Sequence, residues 1–418
     1  MTQQSVQPGA LYGVPGITQR FEQPDTTLAD VVNLQVANQV NWNTVQPFQQ
    51  TDVVHWWELD AEWLNTYVIK TGKTATLSPY APHNLLQNVQ INMQGQYKPI
   101  DVQSGVDLAI FQSYRPMRGS AQMASQPNLG ANPAATFQNA AFPQANIVAT
   151  PSMTKTSTTT PVHLYYELPT SLWFDQYWDL AENGQVLAAP VSAYVSPQYM
   201  AGGQRVVKLR AQYAPYNASN FDTGPMSGSS ANPAAVFTTT GNVTGTLRRV
   251  GVYAQTDPRT MPPVFNWQYQ RHSFQYPVAG KTKITIPVTD YGQILSLFVR
   301  FVDPTANAPI SATANVNKAQ VLYGSNLPRF DDGNSAAPGS AAKAMQKRFL
   351  DQHGFLPPVG TFIWDMALTD TGGYVTNAKA INTLTNANVN LYFEFASALS
   401  ATAYAVVGVE SLVYVAIQ

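Results

Sequence analysis

From Trp57 the chain alternates strictly, with Trp57, Leu59, Ala61 and Trp63 interleaved with Glu58, Asp60 and Glu62. A period of two puts the aromatics on one face of a strand and the carboxylates on the other. Gly72-Lys73-Thr74-Ala75-Thr76-Leu77 returns as Gly280-Lys281-Thr282-Lys283-Ile284-Thr285-Ile286, an offset of 208 from Gly72 to Gly280. The same offset carries the first strand onto Phe265, Trp267 and Tyr269, interleaved with Asn266, Gln268 and Gln270. Leu164-Tyr165-Tyr166-Glu167-Leu168 also returns, as Leu391-Tyr392-Phe393-Glu394-Phe395. The period is too long for a solenoid unit and fits two similar domains in one polypeptide.

Further strands follow the same rule. Leu86, Val89, Ile91 and Met93 mark one in the first half, and Ile294, Leu295, Leu297, Val299 and Phe301 mark its counterpart. Val207, Leu209, Ala211 and Tyr213 alternate with Lys208, Arg210 and Gln212. Val389, Leu391, Phe393 and Phe395 face one way with Asn388, Asn390, Tyr392 and Glu394 opposite, and the chain closes on Val413, Val415 and Ile417. Helices are few. Ser104 with Asp107 resembles a capping pair opening a helix over 106–114, stopped by Pro116. Ser340 caps a second helix running to His353, with Ala342, Met345 and Phe349 on its apolar face and Gly354 at its exit. Each helix falls between the matched strands of its own half.

Residues 1–48 are rich in Gln, Pro, Thr and Asn, with Leu28, Val31, Val32 and Leu34 spaced for a short helical face. They form either a disordered leader or an arm ordered by a neighbour or a membrane. Residues 117–150 and 214–246 are long irregular stretches, and loops of that length inside a domain are functional or disordered. Many short strands, few helices and Pro-rich turns predict an all-β chain of two tandem eight-stranded antiparallel jelly rolls, each with a short inserted helix. The boundaries are an arm over 1–48, a first jelly roll over 49–215, a linker over 216–246 and a second jelly roll over 247–418.

Charged residues make up only 11% of the chain, against about 25% in typical soluble domains, so Gln, Asn, Thr and Ser carry solubility. Such a surface packs against copies of itself with few charges to desolvate. The net charge of −1 gives no field toward nucleic acid, and the basic clusters, 343–348 and Arg248-Arg249, are short. Cysteine is absent, which excludes disulfides, thiolate metal sites and a cysteine nucleophile. Residues 1–9 lack the charged and apolar regions of a signal peptide, and no apolar run approaches the roughly 18 residues of a membrane span.

Catalytic chemistry is hard to find. His55, His83, His163, His272 and His353 form no HxxxH or HExxH pair, and no GxSxG elbow, P-loop or GxGxxG is present. Glu58, Asp60 and Glu62 could supply a glycosidase pair, but like charges at period two mark a solvated strand face. Asp331-Asp332-Gly333-Asn334 offers oxygen ligands to a cation, yet lacks EF-hand spacing and fits a turn. Trp173, Phe174, Tyr177 and Trp178 could form a carbohydrate platform, a subunit contact or a loop folded onto its own sandwich. The Asn217 and Asn242 sequons mean little without a secretory signal. No catalytic, cofactor-binding or metal-ligating residue is assigned, and no enzyme activity is expected.

Two sandwiches with inserted helices, large loops, a polar arm and no site chemistry form a recognisable set. Its best local points are Leu164-Tyr165-Tyr166-Glu167-Leu168-Pro169 and the basic, Ala-rich helix over 341–348 leading into Gly354-Phe355. With these, most of residues 50–418 resembles the double jelly-roll major capsid proteins of tectivirus-type, internal-membrane viruses, the lineage that includes the adenovirus hexon. The resemblance implies a homotrimer imitating a hexagonal tile, neighbouring capsomers, a vertex (penton) protein, and contact of the N-terminal arm with internal membrane lipids or membrane proteins. It implies a place in the virion capsid after synthesis and assembly in the host cytoplasm, with outer towers or intersubunit contacts from 117–150 and 214–246. It implies no cofactor and no direct nucleic-acid binding. The alternatives are a double jelly-roll protein that binds or hydrolyses glycans, and a viral spike or receptor-binding protein.

Overall fold

The structure is a computed structural model of the 418-residue chain. Before residue 267 it describes the strands and the helix named next; beyond, it describes 267–289, 291–303, 308–309, 315–324, 327–353, 357, 361–366, 380–383 and 388–414. Side chains are described within 87–114, at 210 and 212, and within 270–411. The first strands are β1 (Gln19–Gln23), β2 (Asp30–Asn33), β3 (Gln39–Val45), β4 (Val53–Trp56), β5 (Glu62–Val68), β6 (Thr74–Leu77), β7 (Leu86–Met93) and β8 (Tyr97–Ser104). Helix α1 (Gly105–Tyr114) follows directly, then β9 (Ser152–Thr154), β10 (Pro161–Glu167), β11 (Val206–Tyr213), β12 (Met226–Gly228), β13 (Asn242–Leu247) and β14 (Val250–Gln255). Next come β15 (Trp267–Pro277), β16 (Lys283–Pro287), β17 (Gln293–Asp303), β18 (Ala308–Pro309), β19 (Val316–Tyr323) and β20 (Leu327–Gly333). Helix α2 (Ser340–His353), β21 (Thr361–Asp365), β22 (Ile381–Asn382), β23 (Val389–Phe395) and β24 (Tyr404–Tyr414) complete the set.

From β15 onward the strands make a jelly roll. One sheet runs β15-β24-β17-β21 and the other β16-β23-β19-β20, every neighbouring pair antiparallel. Counted without the two-residue β18 and β22, that order is first, eighth, third, sixth over second, seventh, fourth, fifth. Alternation builds the second sheet: in β23, Val389, Leu391, Phe393 and Phe395 are buried and the residues between them half-buried. The two sheets meet through aromatic edges, Phe301 lying 5.0 Å from Phe393 and 5.1 Å from Phe395, and Phe362 5.5 Å from Phe393. Such edge-to-face pairs add about 0.5–1.5 kcal/mol each beyond their burial. Between β15 and β16 the repeated Gly-Lys-Thr forms the turn, with Gly280 at φ +66°, a left-handed conformation that glycine adopts without cost.

In the first half, β11 pairs with β7 and β10 with β5, as β24 pairs with β17 and β23 with β16. The outer place that β15 takes beside β24 is filled by β3 beside β11. β6, which the Gly72 repeat aligns with β16, pairs instead with β9 and β12. The 208-residue offset therefore holds for β7 and β17 but not through every pairing. A short parallel register, Arg271 with Ile100 and His272 with Asp101, joins β15 to β8 and links the halves into one continuous sheet.

The N-terminal residues differ from their sequence reading. Val31 and Val32 lie in strand β2 rather than on a helical face, since adjacent β-branched residues favour the extended chain. β1, β2 and β3 of the arm pair with β14, β13 and β11. The 216–246 stretch carries β12 and part of β13, the latter set between β5 and β2. Residues 57–61, 117–150 and 173–178, Leu28, Leu34, His83, Asn217, Arg248, Arg249, Gly354, Val415 and Ile417 lie outside the described residues.

Candidate functional site: a buried ionic seam

Ser104 ends β8 and caps α1, its Oγ accepting the Val106 N–H at 3.1 Å. Asp107 does not complete a capping box. Its side chain leaves the helix for the second half, where Arg300 Nε donates to Oδ1 at 2.8 Å and Ser273 Oγ donates to Oδ2 at 2.6 Å. Ser273 Oγ in turn accepts the Gln103 backbone N–H at 2.7 Å. Arg300, on β17, is 193 residues from Asp107 in sequence.

A second ion pair lies beside the first. Arg271 Nε on β15 is 3.5 Å from Glu410 Oε1 on β24, and Ser296 Oγ on β17 donates to Glu410 Oε2 at 2.8 Å. Tyr114 and Ser296 share a 2.8 Å hydroxyl contact. The Ser296 proton is committed to the carboxylate, so Tyr114 is the donor. Between the ion pairs, Phe111 sets its ring edge-on to Phe298 at 4.8 Å, with the Arg271 guanidinium 5.6 Å from its centroid. Asp107, Arg271, Arg300 and Glu410 are all fully buried, and so is Ser296. Two carboxylates face two guanidiniums, which keeps the buried charge neutral and hydrogen-bonded. Sealed from solvent, these charges are out of reach of a substrate; they hold one segment of chain against another.

The seam escaped sequence reading, although a signal was present. β17 carries an apolar run over 294–302 broken only by Ser296 and Arg300, and β24 one over 405–412 broken by Gly408, Glu410 and Ser411. Near-continuous apolar runs mark strands buried on both faces. The inner face of this sheet meets β23, and the outer face meets α1. A lone Arg or Glu inside such a run implies a buried counter-charge, but the run does not say where that partner lies.

The residues weighed from sequence fall elsewhere. Asp332, nearly buried, accepts from Trp364 Nε1 at 3.0 Å and from Arg348, whose guanidinium stacks over Phe330 at 5.0 Å. Asp331 points to Lys318 at 3.8 Å. Both carboxylates thus face protein cations, and among the described residues no group of three His, Cys, Asp or Glu could hold a metal ion. Ser340 does not cap α2 through its hydroxyl, which donates to Asn317 O at 2.9 Å and accepts the Asn334 N–H at 2.7 Å. Ala342, Met345 and Phe349 are buried, as the helical spacing predicts. His353 ends α2 with its ring 6.0 Å from Tyr114 and Nε2 3.4 Å from Asp365. His272 meets Gln270 at 2.7 Å, and burial pushes its pKa below the ordinary value despite the nearby Asp101. His55 and His163 lie in β4 and β10, Glu62 starts β5 and Asn242 starts β13. On the outer face of β23, Glu394 is held down to about 2 by hydrogen bonds from Ser335 and Tyr392 and by Lys283, while Tyr392 is pushed up to about 12. No helix among the described residues is long and apolar enough to cross a membrane.

No protein-family model and no curated protein matches this sequence. Solved structures do match in fold. A quasi-atomic model of the PBCV-1 virus capsid superposes with a TM-score of 0.52 at 12% identity, covering 94% of this chain and 93% of that one. The crystal structure of PBCV-1 VP54, fitted into a reconstruction of the virophage Sputnik, gives the same TM-score, identity and coverage. The Faustovirus major capsid protein matches with a TM-score of 0.48 at 8% identity over 96% of this chain and 90% of its own. At these identities the likeness is one of fold.

Proposed function

We propose that this chain is a major capsid protein, a structural subunit without turnover, in which residues 49–215, joined by β3 of the arm, and residues 247–418 act as tandem jelly rolls linked by 216–246. Three copies form a pseudo-hexagonal block, and these blocks tile an icosahedral shell around an internal lipid membrane. The observation that carries the reading is the jelly roll from β15 to β24, preceded by strands that pair in part in the same order, within a fold shared over 94% of the chain with the PBCV-1 capsid. Two non-identical halves let three chains imitate six wedges while keeping closed threefold symmetry. A charged fraction of 11% suits repeated close packing of like surfaces.

On this reading the partners are two further copies, neighbouring capsomers and a vertex protein, and the N-terminal arm contacts membrane lipids or membrane proteins. The place of action is the virion capsid, reached from the host cytoplasm, and neither nucleic-acid binding nor any catalytic, cofactor or metal site is assigned. Light scattering on the purified chain tests the trimer, with an expected mass close to three times 45.6 kDa. Negative-stain images of the same sample are expected to show pseudo-hexagonal blocks that join into sheets on concentration. A species that stays monomeric at every concentration overturns the proposal.

A further inference from the structure

We infer that α1 is a clasp donated by the first half, and that its one buried charge, Asp107, rather than its apolar contacts, fixes a single docking register on the second half. This goes beyond the capsid reading and holds for the isolated chain whatever it assembles into.

The clasp is a matched set of three rungs. Asp107, Phe111 and Tyr114 lie at i, i+4 and i+7, one stripe of the helix. They meet Arg300, Phe298 and Ser296, the outward residues of β17, in reverse order along the strand. The spans agree. Seven residues of helix rise about 10 Å and four of strand about 13 Å. The rungs are unlike one another: an ion pair, an aromatic edge and a hydroxyl relay to Glu410. A slide of one helical turn toward Val302 would bring Phe111 over Arg300 and take Asp107 away from its cation, which is strongly unfavourable. Losing Phe111 from Phe298 alone would penalise the slide far less, because aromatic packing is less directional than a buried ion pair.

The first half supplies a comparison. On the 208-residue offset, Asn88 and Gln90 of β7 stand where Ser296 and Phe298 stand on β17. Asn88 is exposed and donates through Nδ2 to Gln212 Oε1 at 2.7 Å, Gln90 reaches Asp101 at 3.0 Å, and Arg210 is exposed. That face is polar and open where its counterpart is sealed by a helix. The charges that receive α1 belong to one sheet face and not to the repeat as such.

Hydrogen exchange by mass spectrometry on the full chain, with 19F NMR of 3-fluorotyrosine placed at position 114, tests the inference. Asp107→Asn should raise amide exchange across 105–114 at least tenfold while β16 and β23 keep their protection. The double variant Asp107→Leu/Arg300→Met, apolar and similar in volume, should restore protection yet split the single fluorine resonance into several. If Asp107→Asn does not fold, Ser273→Ala, which removes one hydrogen bond from the same carboxylate, should raise exchange over 105–114 several-fold. Exchange within twofold of the parent in the Asp107→Asn or Ser273→Ala chain, or one unshifted resonance in the double variant, would overturn the inference. The oligomeric state of the parent is read separately, so failure of the clasp and failure of the capsid reading are distinct outcomes.

Discussion

Gly408, in the middle of β24, is where a single methyl group should do most damage. A Cβ built there overlaps the ring of Phe298, with Cε1, Cζ and Cδ1 all inside contact distance. Phe298 is fully buried and held from the far side by Phe111 at 4.8 Å, so the ring cannot back away without disturbing α1. Overpacking a tight core site costs about 1–3 kcal/mol, and loss of the Phe111 edge contact adds about 0.5–1.5 kcal/mol. Gly408→Ala should therefore destabilise the chain by about 2–4 kcal/mol, read as a lower urea midpoint at unchanged slope. Phe298→Leu vacates part of the overlap and alone should cost about 1–3 kcal/mol, the lost ring contact with Phe111 included. Combined, the two changes should cost less than their sum by at least about 1 kcal/mol, the mark of direct contact. A Gly408→Ala chain within about 0.5 kcal/mol of the parent, or strict additivity with Phe298→Leu, would refute the packing described for the seam.

Three further outcomes are expected. Asp332→Ala strands the Trp364 indole N–H and the Arg348 guanidinium and should cost about 2–4 kcal/mol in chemical denaturation, with Asp332→Asn costing less because it still accepts from the indole. Glu394 has a folded pKa of about 2 against an ordinary 4.5, so its stabilisation is complete above about pH 4.5 and is lost as pH falls toward about 2. Urea midpoints measured across that window should fall less steeply in Glu394→Gln than in the parent, and equal slopes would contradict the assignment. Gly280→Ala meets no atom within 4 Å, so only its φ of +66° is penalised; a loss of about 1–2 kcal/mol is expected, with Gly280→Asn recovering part of it.

Much of the second half was legible from spacing alone. Val389, Leu391, Phe393 and Phe395 are buried on one side of β23, and Ala342, Met345 and Phe349 on one side of α2, as periods of 2.0 and 3.6 residues require. The Gly-Lys-Thr repeat falls on the turn between β15 and β16, with Gly280 at its left-handed position. The arm was harder to read. A few apolar residues in a Gln- and Asn-rich stretch have the spacing of a helical face, but Val31 and Val32 are β-branched and took strand geometry where β13 offered a partner. Ser340 misled for a related reason: a hydroxyl at a helix start can bond its own helix or a neighbouring strand, and here Asn317 and Asn334 took it.

In the second half the sequence by itself determined where the main strands and the helix form and which side of each is apolar, because both follow from the local repeat of side chains along the backbone. Only the tertiary structure decided what covers those sides: that Arg300 finds Asp107 across 193 residues, that Asp332 accepts from Arg348 and Trp364, and that β6 pairs away from the place its repeat suggests. Periodicity encodes the need to bury a face or neutralise a charge. The partner that meets the need comes from long-range closure, where desolvation and geometry select one arrangement among many with the same local pattern.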